Sequence, residues 1–262
     1  MGLALEVVTG RVTNPGATLT ALTANTGNTF QVRSFPEGQF AYLEGMWAQG
    51  ATAGALQVRS PRMHDDVRGI RFNNTAAIVR NLMGDRDEQS LYPNDNLRVE
   101  LSGGGAEVDA GAILVYYQNL PGVDARLHTW EQIKPRIVNH LTVVVATAGP
   151  ATSGDWSAGT VITTTSDLLK GNTDYAVLGY TADAEVLACA ISGSDTGNLR
   201  AGGPGPVEAI ETRDWFVGLA LAHGTPHIPV FNSDNRGSTL SSVARITAAG
   251  TVNVAWHLAQ LR

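Results

Sequence analysis

The stretch AGTVNVAWHLAQLR, residues 249–262, decides the reading of this chain, because a near relative of it occurs earlier as AGAILVYYQNL, residues 110–120. Both begin Ala-Gly, both run into β-branched and aromatic residues, and both have the composition of a strand. If they are the closing strands of two related modules, the chain is a duplication. At 262 residues it has room for two modules of roughly 130, near the common size of a domain.

Other pairs keep the same order along the chain. Phe40-Ala41-Tyr42-Leu43-Glu44-Gly45 resembles Tyr175-Ala176-Val177-Leu178-Gly179. Val58 stands before the loop RSPRMHDDVRG as Ile191 stands before SGSDTGNLRAGG, and within those loops Val67-Arg68 matches Leu199-Arg200. LYPNDN at 91–96 echoes VFNSDN at 230–235, and Val115-Tyr116-Tyr117 in the first closing strand is set against Val254-Ala255-Trp256 in the second. The offset is about 132 to 135 residues in the first half of each copy and about 139 to 141 in the second. One insertion accounts for the change, the Gly- and Pro-rich AGGPGPVEAIET at 201–212. Fixed-period self-similarity is the mark of a repeated unit.

Composition gives the class of unit. Apolar residues make up 43%, charged residues only 16%, and 29 glycines punctuate Val-, Thr- and Ala-rich segments. Short strands are expected at 3–13, 29–35, 40–47, 54–59, 97–101, 111–118, 141–147, 159–165, 175–180, 185–191 and 251–258. Their length and turn punctuation indicate antiparallel sandwiches and exclude a parallel sheet with crossover helices. The expected fold is therefore all-β, two tandem antiparallel sandwiches with a few short helices. They span 1–120 and 141–262, joined by a linker at 121–140. In that linker, PGVDARLHTWEQIKPRIVNH, Asp124 is placed to cap a short helix with Leu127, Trp130 and Ile133 on one face, ending near Pro135. NTAAIVRNLMG at 74–84 reads as a helix, and DWFVGLALAHG at 214–224 reads equally as helix or strand.

Charge and cysteine content exclude several functions. A net charge of −6, with Arg11 the one basic residue among the first thirty, supplies no cationic field for direct nucleic-acid binding. The single Cys189 lies in apolar EVLACAI and reads as a buried thiol. The start, MGLALE, lacks the pattern of a signal peptide, and no apolar run approaches the ~20 residues of a membrane-spanning helix. The expectation is a soluble, unprocessed chain.

No string of residues reads as a catalytic, cofactor or metal site. Asp195-Thr196-Gly197 has the letters of an aspartic protease triplet, but Gly193-Ser194 precedes it and the other copy carries Asp66-Val67-Arg68. It reads as a turn. His223 and His227 in HGTPHIP, and His64-Asp65-Asp66, could ligate a metal, yet Pro226 and Pro229 argue against a helix presenting the first pair on one face. They read as loop histidines. FNSDNRGS, residues 231–238, fails as a calcium loop because Arg236 replaces an oxygen ligand and Val243 the bidentate Glu. The glycine clusters at 103–105 and 202–205 lack the Lys-Ser/Thr of a phosphate loop. Trp130, Trp156, Trp215 and Trp256 are scattered along the chain.

The duplicated module, the linker carrying Trp130, the NDN and SDN turns and the aromatic closing strands resemble the double jelly-roll major capsid proteins of tailless icosahedral viruses. In size the chain is most similar to those of bacteriophages with an internal membrane. The resemblance is architectural, spans nearly the whole chain and carries no signature residue. It implies a homotrimer in which six jelly rolls form a pseudo-hexagonal tile of an icosahedral shell. The implied location is the virion, with assembly in the host cytoplasm. The implied partners are the chain itself, neighbouring capsomers, penton proteins and an internal lipid membrane, with no direct nucleic acid binding. It also implies a structural protein and no enzyme. Two other readings stay open: a trimeric receptor- or carbohydrate-binding virion spike, and a β-sandwich hydrolase or bicupin if His64, His223, His227 and carboxylates share one pocket.

Overall fold

The computed structural model describes residues 2–25, 30–36, 41–49, 54–62, 69–73, 77–81 (backbone only), 90–103, 108–162, 169–183, 186–205, 212–245, 247 and 250–262. In the first half β1 (Ala4–Thr13), β3 (Thr23–Ala24), β4 (Ala41–Gln49), β7 (Ala77–Asn81), β8 (Ser90–Leu91) and β10 (Val108–Tyr117) make one sheet. Its order is β3-β1-β10-β4-β7, with β8 also pairing β4. The second sheet is β2-β9-β5-β6, from β2 (Gly16–Ala21), β5 (Ala55–Arg59), β6 (Ile70–Asn73) and β9 (Arg98–Gly103). Every pairing is antiparallel.

The second half repeats this arrangement. β11 (Leu127–His128), β12 (Ile137–Ala148), β14 (Asp174–Ala182), β17 (Ile228–Asn232) and β19 (Thr251–Leu261) form the sheet β11-β17-β14-β19-β12. The strands β13 (Thr160–Val161), β15 (Val186–Ser192), β16 (Ala201–Pro204) and β18 (Leu240–Arg245) form β13-β18-β15-β16. Substituting β12, β14, β17 and β19 for β1, β4, β8 and β10 maps β1-β10-β4-β8 onto β12-β19-β14-β17, with β3, β7 and β11 as additions at the sheet edges. Substituting β13, β15, β16 and β18 for β2, β5, β6 and β9 maps the second sheets. In the order β1, β2, β4, β5, β6, β8, β9, β10 and its equivalent β12 to β19, strands alternate between the facing sheets except at the hairpins β5–β6 and β15–β16, which is the jelly-roll wrap. The chain is thus all-β with two jelly rolls and a few short helices, as its composition and strand spacing predict.

A shared irregularity fixes the equivalence residue by residue. β4 bulges between Leu43 and Gly45, which face Val115 and Leu114, leaving Glu44 as the extra residue. β14 bulges between Val177 and Gly179, which face Leu258 and His257, leaving Leu178 extra. Leu43-Glu44-Gly45 therefore corresponds to Val177-Leu178-Gly179, and Val115 corresponds to Leu258, not Val254. The alignment by residue type is four positions out of step in the closing strands, an even slip that leaves every side chain on its expected face. Gly179 also serves packing: a Cβ there would lie 2.3 Å and 2.4 Å from the carbonyl oxygens of Arg213 and Thr212, which cross over β14.

Several expectations are corrected. Of the strand expected at 29–35, the described residues 30–35 contribute an isolated bridge, Gln31 to Asn96, and no strand, because Val32 donates to Asp95 and Leu97 to Phe30 in an irregular crossing. In 74–84 the described part, Ala77–Asn81, is strand and not helix, since the edge of β4 from Gly45 to Gln49 offers it a full backbone ladder. The second ambiguous segment is the helix α2 (Trp215–His223), closed by Gly224 at φ 63°. The linker helix α1 (Trp130–Ile133) is capped by Thr129, not Asp124: Thr129 Oγ1 accepts from the Gln132 amide while the Thr129 amide donates to Gln132 Oε1. Leu127 belongs to β11, and β12 already begins at Ile137. Residues 201–204 form β16, equivalent to β6, so they do have a counterpart in the first copy. Residues 206–211 lie outside the described residues. No helix among the described residues is long and apolar enough to cross a membrane.

Two apolar clusters hold the molecule together. One fills the first sandwich, with Val8, Leu43, Met46, Leu56, Val99, Ile113, Val115 and Tyr117 between its sheets. The other fills the second sandwich and continues across to the outer face of β1, β4 and β10, taking in Leu5, Val7, Trp47, Leu114 and Tyr116. The first module's larger sheet is therefore covered on both sides. Consistently, all but the first residue of β10 are buried, whereas β19 alternates buried with more exposed positions.

Candidate functional site: the seam between the jelly rolls

The bulge in β4 turns Glu44 outward from the first sandwich into this seam. There the last residue of α2, His223, and the residue preceding β17, His227, meet its carboxylate. His223 Nε2 lies 2.8 Å from Glu44 Oε2, and His227 Nε2 lies 3.5 Å from Oε1. All three are withdrawn from water, with side-chain exposures of 1% for Glu44, 6% for His223 and 0% for His227. The His227 ring stacks on Tyr116 of β10 at 4.4 Å between centroids and on His223 at 5.4 Å. Its Nδ1 lies 3.1 Å from Thr225 Oγ1, and its amide donates to the His128 carbonyl.

The electrostatics follow from this enclosure. Burial opposes ionisation of Glu44, but hydrogen bonds from His223 and then His227 outweigh it and hold the carboxyl down to about 2. For His227 burial wins and lowers its pKa, against the raising effect of Glu44. A carboxylate with two imidazoles is a set that can move protons. Here both Nε2 atoms are spent on the carboxylate, and the described residues hold no group of three His, Cys, Asp or Glu suited to a metal ion. The arrangement is a polar clamp that fixes β4 of one jelly roll to α2 and β17 of the other.

Further contacts line the same seam. Trp47, on β4, is fully buried and donates from Nε1 to the Leu187 carbonyl of β15 at 2.8 Å. The Val7 amide donates to the Arg200 carbonyl, Arg11 Nη1 to the Ser153 carbonyl at 2.8 Å, and Asn25 Nδ2 to the Gly154 carbonyl at 2.6 Å. Arg200 lies over the Trp156 ring at 5.0 Å.

The structure brings His223 and His227 together on Glu44, a residue not singled out as a site residue by the sequence pattern; the strand alternation alone gives no sign of the bulge that aims it. His64, Asp65 and Asp66 lie outside the described residues. Asp195 sits in a turn, where its Oδ2 accepts from the Asn232 amide at 3.0 Å and from Asn235 Nδ2 at 3.1 Å, while its Oδ1 lies 3.9 Å from Arg126 Nη1, the guanidinium that pairs with Asp174 at 2.6 Å. Asp195→Asn keeps an oxygen for both donors and should stay within about 1 kcal/mol of wild type. Asp195→Ala leaves them unmatched and should cost about 1–3 kcal/mol in denaturant melts. A loss beyond 3 kcal/mol for the Asn variant would contradict the purely turn-shaping role. Side chains of 231–238 are spent likewise: Asn232 Nδ2 donates to Asp174 Oδ1, and Asp234 Oδ1 accepts from the Asn172 amide. Cys189 is buried in β15, and burial pushes its thiol well up.

A cleft of about 680 Å³ lies outside the seam, over the outer face of β12, β19 and β14, lined among others by Trp130, His140, His257 and Leu221.

No protein-family model matches the chain, and no curated protein matches it. Among solved structures it is similar to the PBSX exported protein XepA, with 12% identity and a TM-score of 0.27, covering 98% of this chain and 86% of that one. It is also similar to a chain of the Sulfolobus Turreted Icosahedral Virus, with 10% identity and a TM-score of 0.22, over 98% of this chain and 79% of that one. A third is the major capsid protein P2 from bacteriophage PM2, with 8% identity and a TM-score of 0.25, over 99% and 98%. At TM-scores of this size the superpositions are loose, and the jelly-roll assignment stands on this chain's own strand order.

Proposed function

We propose that this protein is a viral structural protein, a major capsid protein whose homotrimers form pseudo-hexagonal capsomers of an icosahedral shell. The observation that carries the reading is the repeated strand order, one jelly roll bound to a second through a buried seam. Three copies of such a chain supply six comparable modules around an axis, a shape that tiles a closed surface. A polar clamp with no open ligand position and an interior anchored by Trp47 suit a protein that works by holding its form. The proposed division of the chain is 1–120, 121–140 and 141–262, the middle segment joining the modules. The proposed location is the virion, after assembly in the host cytoplasm. Neighbouring capsomers, penton proteins and an internal lipid layer are the proposed partners, and the acidic balance, −6 overall, speaks against direct contact with the genome.

Purified chain should sediment as a homotrimer burying well over ~1,000 Å² per pair, as stable assemblies do, and negative-stain images should show shells or hexagonal tiles. Monomer alone across a wide concentration range would remove the reading. Trimers that bind glycans and never tile would favour the spike instead.

A further inference from the structure

The sheet β2-β9-β5-β6 has a face turned away from the second jelly roll. Leu56, Val58, Val99 and Leu101 belong to the core of the first sandwich, so alternation sends Gln57, Arg59, Arg98 and Glu100 to the outer face. Arg71 joins them from β6, between Ile70 and Phe72, which pack against the same core. The register sets Arg59 opposite Arg98, and Gln57 between Glu100 and Arg71. Like charges directly opposite in a ladder repel. Glu100 relieves this pair: it accepts from Arg59 Nε at 2.8 Å and Nη2 at 3.1 Å, and Arg98 Nε lies 2.7 Å from its Oε1.

This cluster differs from an ordinary solvated strand face. The Glu100 side chain is 4% exposed although it stands on the outer face, while Arg98 above it is 56% exposed. Burial opposes ionisation of Glu100, but Arg59 and Arg98 outweigh it and hold the carboxyl below the usual range. Three guanidinium groups against one carboxylate leave two positive charges, in a chain whose net charge is −6. The fold does not require them: the counterpart strands β15, β16 and β18 carry a single charged residue, Arg245.

The arginines also line a hollow. A cleft of about 590 Å³ is bounded by Arg59, Arg71, Arg98, Gln57, Glu100 and Leu19. A second, of about 470 Å³, shares Arg59 and Arg98 with it and is walled by Leu22, Phe30, Pro61 and Asn96. Among the described residues lining the two, Glu100 is the one carboxylate. Guanidinium groups offer paired N–H donors in a planar fork that matches a phosphate group. Because Glu100 already holds two of the three, an incoming anion has less side-chain motion to arrest.

We propose that the Arg59–Arg71–Arg98 cleft binds the phosphate group of a small monoester whose organic part lies in the adjoining cleft at Phe30 and Asn96. A phosphate dianion matches the two excess positive charges. The Phe30 ring and its apolar neighbours suit the face of a sugar or base ring, and the Asn96 amide suits its hydroxyl or carbonyl groups. The inference goes beyond the capsid reading and does not depend on it.

The test is isothermal titration calorimetry of the full chain with inorganic phosphate and with glucose 6-phosphate, accompanied by thermal melts. The wild type should bind both saturably at one site per chain, the monoester more tightly. Arg71→Gln and Arg98→Gln should each weaken both probes roughly tenfold or more, the worth of a hydrogen bond between charged groups. Both side chains are exposed, so the melts should stay near wild type, and the two variants back each other up should one unfold. Phe30→Leu keeps apolar bulk and loses the ring, so it should narrow the gap between the probes. Lys170→Gln, an exposed cation of the second jelly roll, should leave binding unchanged. No saturable binding of either probe up to about 10 mM overturns the proposal, as do arginine variants with wild-type affinity or an equal loss in Lys170→Gln. Equal affinity for the two probes, or a gap untouched by Phe30→Leu, overturns the monoester in favour of the bare anion. An oligodeoxynucleotide that binds more tightly than glucose 6-phosphate overturns it in favour of a nucleic-acid backbone.

Discussion

Replacing Glu44 by Ala is expected to cost several kcal/mol, about 1–3 for each of the two buried imidazole N–H groups left without an acceptor. The variant leaves His223 and His227 facing each other in a closed seam with no acceptor for their Nε2 atoms. Glu44→Gln keeps an acceptor and removes the charge, so it should lose less. The two variants also differ from wild type in their response to acid. A carboxyl lowered to about 2 in the folded protein, against 4.5 as its ordinary value, contributes stability that is complete above about pH 4.5. That contribution disappears as pH falls toward 2, and amounts to about 3 kcal/mol. His227 adds a loss of the same sign starting at higher pH. Its folded pKa lies below 6.5, so the unfolded chain takes up the proton first and acid favours unfolding from about pH 6.5 downward. Urea melts from pH 8 to 3 check both. Glu44→Gln should flatten the part below pH 4.5; a variant that keeps the wild-type slope there would show that Glu44 is not the titrating group.

Trp47→Ala should be the most damaging apolar truncation in the seam. It removes a fully buried indole and one of the two donors to the Leu187 carbonyl, which also accepts from the Gly205 amide, for an expected loss of about 3–5 kcal/mol. The damage should concentrate between the jelly rolls. Hydrogen exchange at the Val7 amide, which donates to Arg200 across the seam, should quicken more than exchange at Ile113, inside the first sandwich. Trp47→Phe keeps most of the volume and loses the donor, so a smaller loss of about 1–3 kcal/mol is expected. Equal stability of Trp47→Ala and wild type in denaturant would contradict the packing described.

Much of the fold is legible because strand sequences carry their own exposure. The alternation in TVNVAWHL marks a strand with one buried face, and the unbroken AILVYY marks one covered on both. That contrast already distinguishes the two closing strands and accords with a cover over the first module. The Gly- and Asn-bearing turns and the paired segments around Leu43 and Val177 show the duplication in the same way. Even the error in aligning Val115 with Val254 was harmless to the face pattern, because a slip of four positions in a period of two leaves inward residues inward.

By itself, then, the sequence determined that this chain is all-β, that it is a duplication, and which faces of its strands are apolar. These are local properties, written in alternation, turn residues and composition. Only the tertiary structure decided the register between the copies, the helical state of 215–223 against the strand state of 77–81, and the meeting of Glu44 with His223 and His227. A bulge costs one residue and leaves no mark in an alternating pattern, yet it turns Glu44 out of its own sandwich and into the seam. Likewise, whether Ile78-Val79 becomes strand depends on the free edge of β4 beside it, and residues far apart in the chain supply that edge. Pairings of this kind are won by the backbone partners that folding brings near, and no short window of sequence contains them.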